Sequence, residues 1–123
     1  KTKKLISDPD QFMLVSENAE GIDGFIRVSS NSPAPVGDCS DVEISTFYVQ
    51  PRHHHKGIGK CLLSAALDNC RNVSVGSVWL TTNAENDPAI AFYLANGFEH
   101  VGETHFRIDD QGYLNNVYRV SLR

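Results

Sequence analysis

No run in this 123-residue chain approaches the roughly 18 consecutive apolar residues that a membrane-spanning helix needs, so insertion into a bilayer is not expected. Basic residues are scarce as well: 11 Lys and Arg stand against 15 Asp and Glu, and outside a short N-terminal Lys cluster the cations are scattered. Without a continuous basic face, and with a net charge of −4, a nucleic-acid partner is not expected. Cysteine is limited to Cys39, Cys61 and Cys70, an odd number with no C-x-x-C pair. That argues against a disulfide framework and fits reduced thiols in a cytoplasm. The spacing of Cys61 and Cys70 puts them on opposite sides of any helix that carries both. The basic start Lys1-Thr2-Lys3-Lys4 leads into polar and acidic residues rather than a signal-peptide core, so export is not expected. An initiator Met is missing too, and the numbering is expected to begin inside a longer gene product or after a removed tag. Repeats, low-complexity tracts and linkers are absent, and residues 1–123 read as a single domain.

The residues that are present suit a globular core, with 41% apolar and 21% charged. Phe12–Val15 and Gly24–Val28 are predicted strands of a hairpin that turns at Asn18-Ala19-Glu20-Gly21, and Ser29–Asp38 reads as a loop. Val42–Val49, with Ile44, Thr46, Phe47, Tyr48 and Val49, is the next predicted strand. From Gly57 to about Arg71 the period is helical, and Ile58, Cys61, Leu62, Ala65, Ala66 and Asn69 form the expected apolar stripe. Ser77–Thr82 is a predicted strand, with Trp79 expected in the core. Asn86-Asp87-Pro88 caps a second helix that Gly97 stops. Phe98–Ile108 and Tyr113–Ser121 are closing strands around the turn 109–112. The predicted order is ββ-β-α-β-α-ββ, a mixed α/β (α+β) arrangement.

The sharpest local signal is Val49-Gln50-Pro51-Arg52-His53-His54-His55-Lys56-Gly57-Ile58-Gly59-Lys60, a strand that turns directly into a helix. The first N–H groups of a helix lack internal partners and carry its positive dipole end, so they favour phosphate. Gly57 and Gly59 let a ligand approach the backbone, and Lys56 and Lys60 add charge. A Walker loop would need glycine at position 54 and Ser or Thr at 61, where His54 and Cys61 stand. A dinucleotide fingerprint would need a third glycine where Leu62 stands. Adjacent His53-His54-His55 in a turn point in different directions and lack the spacing of a natural metal site, so no metal is expected.

The remaining pattern, His54-His55-Lys56-Gly57-Ile58-Gly59, resembles the acyl-CoA loop [Gln/Arg]-x-x-Gly-x-[Gly/Ala] of the GNAT superfamily of N-acetyltransferases. The preceding Val49-x-Pro51 and the later Asn86-x-x-Ala89-Ile90-x-Phe92-Tyr93-x-x-x-Gly97-Phe98 carry the resemblance over about residues 42–123, with His54 standing where the family has Gln or Arg. The resemblance implies a mixed, mostly antiparallel sheet with a central V-shaped splay flanked by helices. It also implies acetyl-CoA as co-substrate: backbone groups of Phe47 and Val49 on the pantetheine arm, His54, His55, Lys56, Gly57, Ile58, Gly59 and Lys60 around the pyrophosphate, and Asn86 near the pantetheine. Only about ten residues precede Phe12, so the family's N-terminal strand and helices are expected to be shortened or missing. A partner subunit or swapped element, and hence a homodimer, is one way to complete such a site.

Amine acetylation needs an oxyanion donor, a proton for the thiolate and a base for the amine. By resemblance, the Val49 N–H serves as the donor and Tyr93, protonated at neutral pH, as the acid. Glu43 is the expected base, acting through water. It lies six residues before Val49 and so, by the period of two, on the same strand face. A ping-pong route through Cys61 is disfavoured because Cys61 falls on the apolar stripe without an evident base. Direct transfer in a ternary complex to a small-molecule or peptide amine is therefore expected, with a non-catalytic acyl-CoA-binding sensor as the alternative. Phe106, Asp109, Tyr113 and Tyr118, together with the acidic composition, resemble features of small-amine and polyamine acetyltransferases.

Overall fold

The computed structural model describes residues 2–8, 10–51, 57–108 and 111–122. Among the described residues, seven strands and two helices follow one another as β1 (Thr2–Asp8), β2 (Gln11–Asn18), β3 (Gly21–Ser29), β4 (Glu43–Val49), α1 (Ile58–Asn72), β5 (Ser77–Asn83), α2 (Asp87–Ala95), β6 (Glu99–Ile108) and β7 (Gln111–Ser121). They form one sheet in the order β1-β2-β3-β4-β5-β7-β6, with every neighbouring pair antiparallel except β4 and β5. The mixed, mostly antiparallel sheet expected from the sequence is therefore present, with one strand more than expected. β1 pairs with β2 from Thr2↔Ser16 to Asp8↔Gln11. Its lysine-rich sequence hides it from a search for alternating apolar residues, yet lysines suit an edge strand because they discourage further pairing. β1 joins β2 directly, with no helix between them.

Parallel β4 and β5 share one paired position, Glu43↔Trp79, supported by the Trp79 N–H donating to the Val42 carbonyl at 3.1 Å. Beyond that apex the two strands diverge, which is the expected V-shaped splay. β4 also carries a bulge. Arg27 pairs with Thr46 and Val28 with Ile44, so Ser45 is an extra residue in the ladder.

Both helices contribute to a core on one side of the sheet, where Leu62, Leu63, Ala66, Leu67 and Cys70 of α1 pack with Leu14, Ile26, Val28, Ile44, Val78, Leu80, Phe98, Tyr118 and Val120. The apolar arc of α1 is displaced from the expected stripe. Leu62/Ala66, Leu63/Leu67 and Ala66/Cys70 recur at four and bury, whereas Cys61 is exposed. Cys61 and Cys70 do face opposite ways, as their spacing requires. Burial pushes the Cys70 thiol up to about 11, against a small opposing effect of Arg71. Trp79 is buried as expected, and its indole N–H donates to the Ser32 carbonyl in the 30–42 segment at 3.1 Å.

Candidate active site

The splay opens into a cleft of about 600 Å³. One wall is the end of β4, at Phe47 and Val49. The second is the N-terminus of α1, from Gly57 to Lys60, and the third is α2, with Asn86, Pro88, Ala89, Phe92 and Tyr93. Eight of the residues expected from the sequence are thereby brought together: Phe47, Val49, Gly57, Ile58, Gly59, Lys60, Asn86 and Tyr93. His54, His55 and Lys56, like Arg52, His53 and the Asp109-Asp110 turn, lie outside the described residues. Pro88, Ala89 and Phe92 line the cleft without having been expected as binding residues. The Asn-x-Pro-Ala start of the second helix is the signal that places them there.

The direction of the β4 backbone follows from its register. The Gln50 N–H donates to the Asp23 carbonyl at 2.9 Å, and the ladder continues as Gly24↔Val49, Phe25↔Tyr48 and Ile26↔Phe47. Hydrogen-bonded and non-hydrogen-bonded pairs alternate in an antiparallel ladder, so the backbone groups of Phe47 and Val49 point away from β3 and toward the splay. An extended amide-bearing chain can add to such an edge as a strand.

At the start of α1, Gly57 takes φ 78°, a left-handed conformation that glycine tolerates, and among the described residues no side chain caps the helix. The first turn contains no acidic residue, and the Cys61 N–H is already used by the Gly57 carbonyl at 3.0 Å. The N–H groups of Ile58, Gly59 and Lys60 are therefore those for which the helix supplies no acceptor. A β-carbon at Gly59 would come 3.6 Å from Phe92 Cζ, 3.7 Å from Val49 Cγ2 and 3.8 Å from Phe47 Cζ. All three atoms belong to the cleft walls, so glycine leaves a cradle there that any side chain would fill.

Tyr93 stands at the meeting point of α2 and the sheet. Its ring centroid lies 5.5 Å from Phe98, 5.6 Å from Phe92, 6.4 Å from Phe47 and 6.5 Å from Tyr118. Burial among these rings pushes its hydroxyl up to about 12, so it holds its proton throughout the neutral range. α2 is held by the Asn86 side chain accepting from the Ala89 N–H at 3.4 Å and by Gly97 at φ 91° beyond its end.

Glu43 is not part of the cleft wall, and its expected placement on the same strand face as Val49 is corrected by the bulge. Ile44 buries in the helix-side core, and Phe47 and Val49 pack against that same core. The extra residue Ser45 reverses the alternation between them, so Glu43 lies on the opposite face of the sheet. There its carboxylate accepts a hydrogen bond from the Ser32 hydroxyl at 2.7 Å.

Cys61 is corrected in a similar way. It is exposed rather than in the apolar stripe, and what removes it from the chemistry is its absence from the cleft wall. Tyr113 and Tyr118, five positions apart on β7, face opposite sides of the sheet. Tyr118 is buried beside Tyr93 and Tyr113 is exposed, so they do not line one acceptor pocket. The Phe106 side chain and Asp109 lie outside the described residues. Among the described residues there is no cluster of metal-ligating side chains, and no helix is long and apolar enough to cross a membrane.

The arrangement is that of a known family. Residues 2–98 match the Acetyltransferase (GNAT) family, and the chain belongs to it. Among curated proteins it is similar to an uncharacterized N-acetyltransferase of Mycobacterium tuberculosis, 29% identical over 103 residues that cover 84% of this chain and 62% of the relative. It is also similar to a streptothricin acetyltransferase of Streptomyces lavendulae, 33% identical over 96 residues that cover 77% of this chain and 48% of that one. The chain thus spans less than two thirds of the length of these relatives. Among solved structures, nourseothricin acetyltransferase superposes with a TM-score of 0.79 at 23% identity, covering 97% of this chain and 69% of that one. A PaiA N-acetyltransferase of Thermoplasma acidophilum in complex with coenzyme A superposes with a TM-score of 0.68 at 21% identity, covering 91% and 61%. These likenesses establish the fold.

Proposed function

We propose that the chain is an acetyl-CoA-dependent N-acetyltransferase that passes the acetyl group directly to a primary amine of a small molecule or peptide. The observation that carries this reading is the splay. β4 and β5 pair at one position and then part, opening a cleft lined by the end of β4, the N-terminus of α1 and Tyr93.

The residues present fit the co-substrate. The Gly59 cradle and the N–H groups of Ile58, Gly59 and Lys60 suit a pyrophosphate at the head of α1, and the Lys60 side chain adds a positive charge. The Phe47 and Val49 backbone offers an edge to the amides of a pantetheine arm, with Asn86 and Phe92 opposite. Bound there, acetyl-CoA supplies an activated thioester. The Val49 N–H stabilises the developing oxyanion, and the neutral Tyr93 hydroxyl donates a proton to the departing sulfur. Glu43, on the far face at the apex, takes the proton of an incoming amine through water. It is four residue steps along the strand from Phe47, about 13 Å of extended chain, too far for direct contact.

Relatives named as a streptothricin acetyltransferase and an N-alpha-acetyltransferase support an amine acceptor, and the acidic composition suits a cationic one. A second reading, an acyl-CoA-binding sensor without turnover, is favoured by one feature. β1 runs directly into β2, so no helical wall stands between them to shape an acceptor pocket.

Thiol release from acetyl-CoA, measured with spermidine, lysine, streptothricin and a short peptide with a free N-terminus, separates the two. Turnover of any of these amines, slowed by Tyr93→Phe, supports the enzyme. Binding of acetyl-CoA with no release on any of them supports the sensor.

A further inference from the structure

The segment between β3 and β4 crosses the sheet face opposite the helices and is fastened at several points. The Trp79 indole N–H donates to the Ser32 carbonyl at 3.1 Å, and the Ser32 N–H donates to the Asp41 carbonyl at 2.8 Å. Val36 packs so closely on β6 that a β-carbon at Gly102 would come 2.5 Å from its Cγ1. Ser40 is tied to Ser77 through its backbone N–H at 3.2 Å. Ser32 therefore has both backbone polar groups engaged, and its hydroxyl donates to Glu43 Oε1 at 2.7 Å.

Trp79 is also the residue paired with Glu43 at the apex of the splay. Trp79, Ser32 and Glu43 thus form a closed ring of contacts at the point where the two halves of the sheet part. The bulge at Ser45 turns Glu43 onto this face and away from the cleft. A carboxylate on its own would retain several rotamers there. A short hydrogen bond from a hydroxyl whose own backbone is held at two points selects among them and occupies one oxygen.

We infer that Ser32 is a positioning residue for acetyl transfer: anchored by Trp79, its hydroxyl orients the Glu43 carboxylate toward the water that relays the proton of the acceptor amine. This rests on the reading of Glu43 as the base, and the test separates the two.

The rate of thiol release is measured for the unsubstituted chain, Ser32→Ala, Ser32→Thr, Glu43→Gln and the double variant Ser32→Ala/Glu43→Gln. The acceptor is the amine of the panel above that the unsubstituted chain turns over fastest. Ser32→Ala is expected to lower kcat by about tenfold, the scale set by a hydrogen bond to a charged group, with KM for acetyl-CoA unchanged. Ser32→Thr, which keeps the hydroxyl, restores most of the rate. The double variant is no slower than Glu43→Gln alone, because the hydroxyl then has no base to orient.

If Glu43→Gln is slow but Ser32→Ala is not, or if the two losses multiply in the double variant, the positioning role is wrong while the base stands. A full-speed Glu43→Gln, or no turnover of any amine by the unsubstituted chain, removes the base assignment and this inference with it. Ser32→Ala and Ser32→Thr equally slow, with equally lowered Tm, would reduce Ser32 to a loop anchor and contradict the inference.

Discussion

The Phe98 backbone N–H donates to the Tyr93 carbonyl at 3.1 Å while the rings of the same two residues meet edge to face at 5.5 Å. With the Gly97 N–H donating to the Leu94 carbonyl at 3.3 Å and Gly97 at φ 91°, this is a Schellman termination with its accompanying apolar contact. The end of α2 therefore fixes where Tyr93 sits in the cleft wall.

Replacing Gly97 by Ala places a β-carbon in left-handed backbone, which costs roughly 1–2 kcal/mol. Urea unfolding should show that loss, and thiol release should slow as well because the last turn of α2 carries Tyr93. Unchanged stability would mean that the chain ends the helix differently.

Tyr93→Phe retains the ring contacts and removes the proton. General acid catalysis is worth about a hundredfold or more, so kcat should fall on that scale while KM for acetyl-CoA moves little. The same variant has a stability signature at high pH. Folding raises the Tyr93 hydroxyl from 10.0 to about 12, so the native chain holds this proton more tightly than the unfolded chain does. The contribution is fully present below pH 10 and is lost as pH rises through about 12. Unfolding free energies measured across that window should lose this dependence in Tyr93→Phe.

Thiol accessibility offers an independent check of the register of α1. Cys61 is exposed and Cys70 is buried with its thiol raised to about 11, so a disulfide reagent should modify Cys61 rapidly and Cys70 only on unfolding. Cys39, half-buried and also raised by burial, should fall between them. Comparable rates for Cys61 and Cys70 would contradict the observed arc.

Leu62→Ala removes a fully buried side chain from the helix-side core and should destabilise by about 2–5 kcal/mol in chemical denaturation. Its neighbours Ile26, Val28 and Leu80 are equally buried, which leaves little room for collapse.

Most of the architecture is legible in the sequence because it rests on local signals. Asn86, Pro88 and Gly97 bound α2, Gly57 and Gly59 mark the turn into α1, and the apolar alternation of β2–β5 and β7 is visible in their residues. What could not be read depends on pairing across the sheet. β1 is a lysine-rich edge strand without an apolar face to announce it. The Ser45 bulge is a mismatch of two strands, and no single strand shows it, so counting by twos from Val49 put Glu43 on the wrong face. The stripe expected for α1 lies one position early because Cys61 is apolar in type, while the sheet beneath also buries Leu63 and Leu67. Ser32 lies in a polar loop and acquires its role only through contacts with Trp79 and Glu43.

The most direct test of the account is isothermal titration of acetyl-CoA into the chain and into Gly59→Val, whose side chain would fill the cradle between Phe47, Val49 and Phe92. One-to-one binding by the unsubstituted chain and its loss in Gly59→Val, with Tm largely preserved, are expected. Absence of binding by the unsubstituted chain, or equal affinity in both, would contradict the assignment of the cleft.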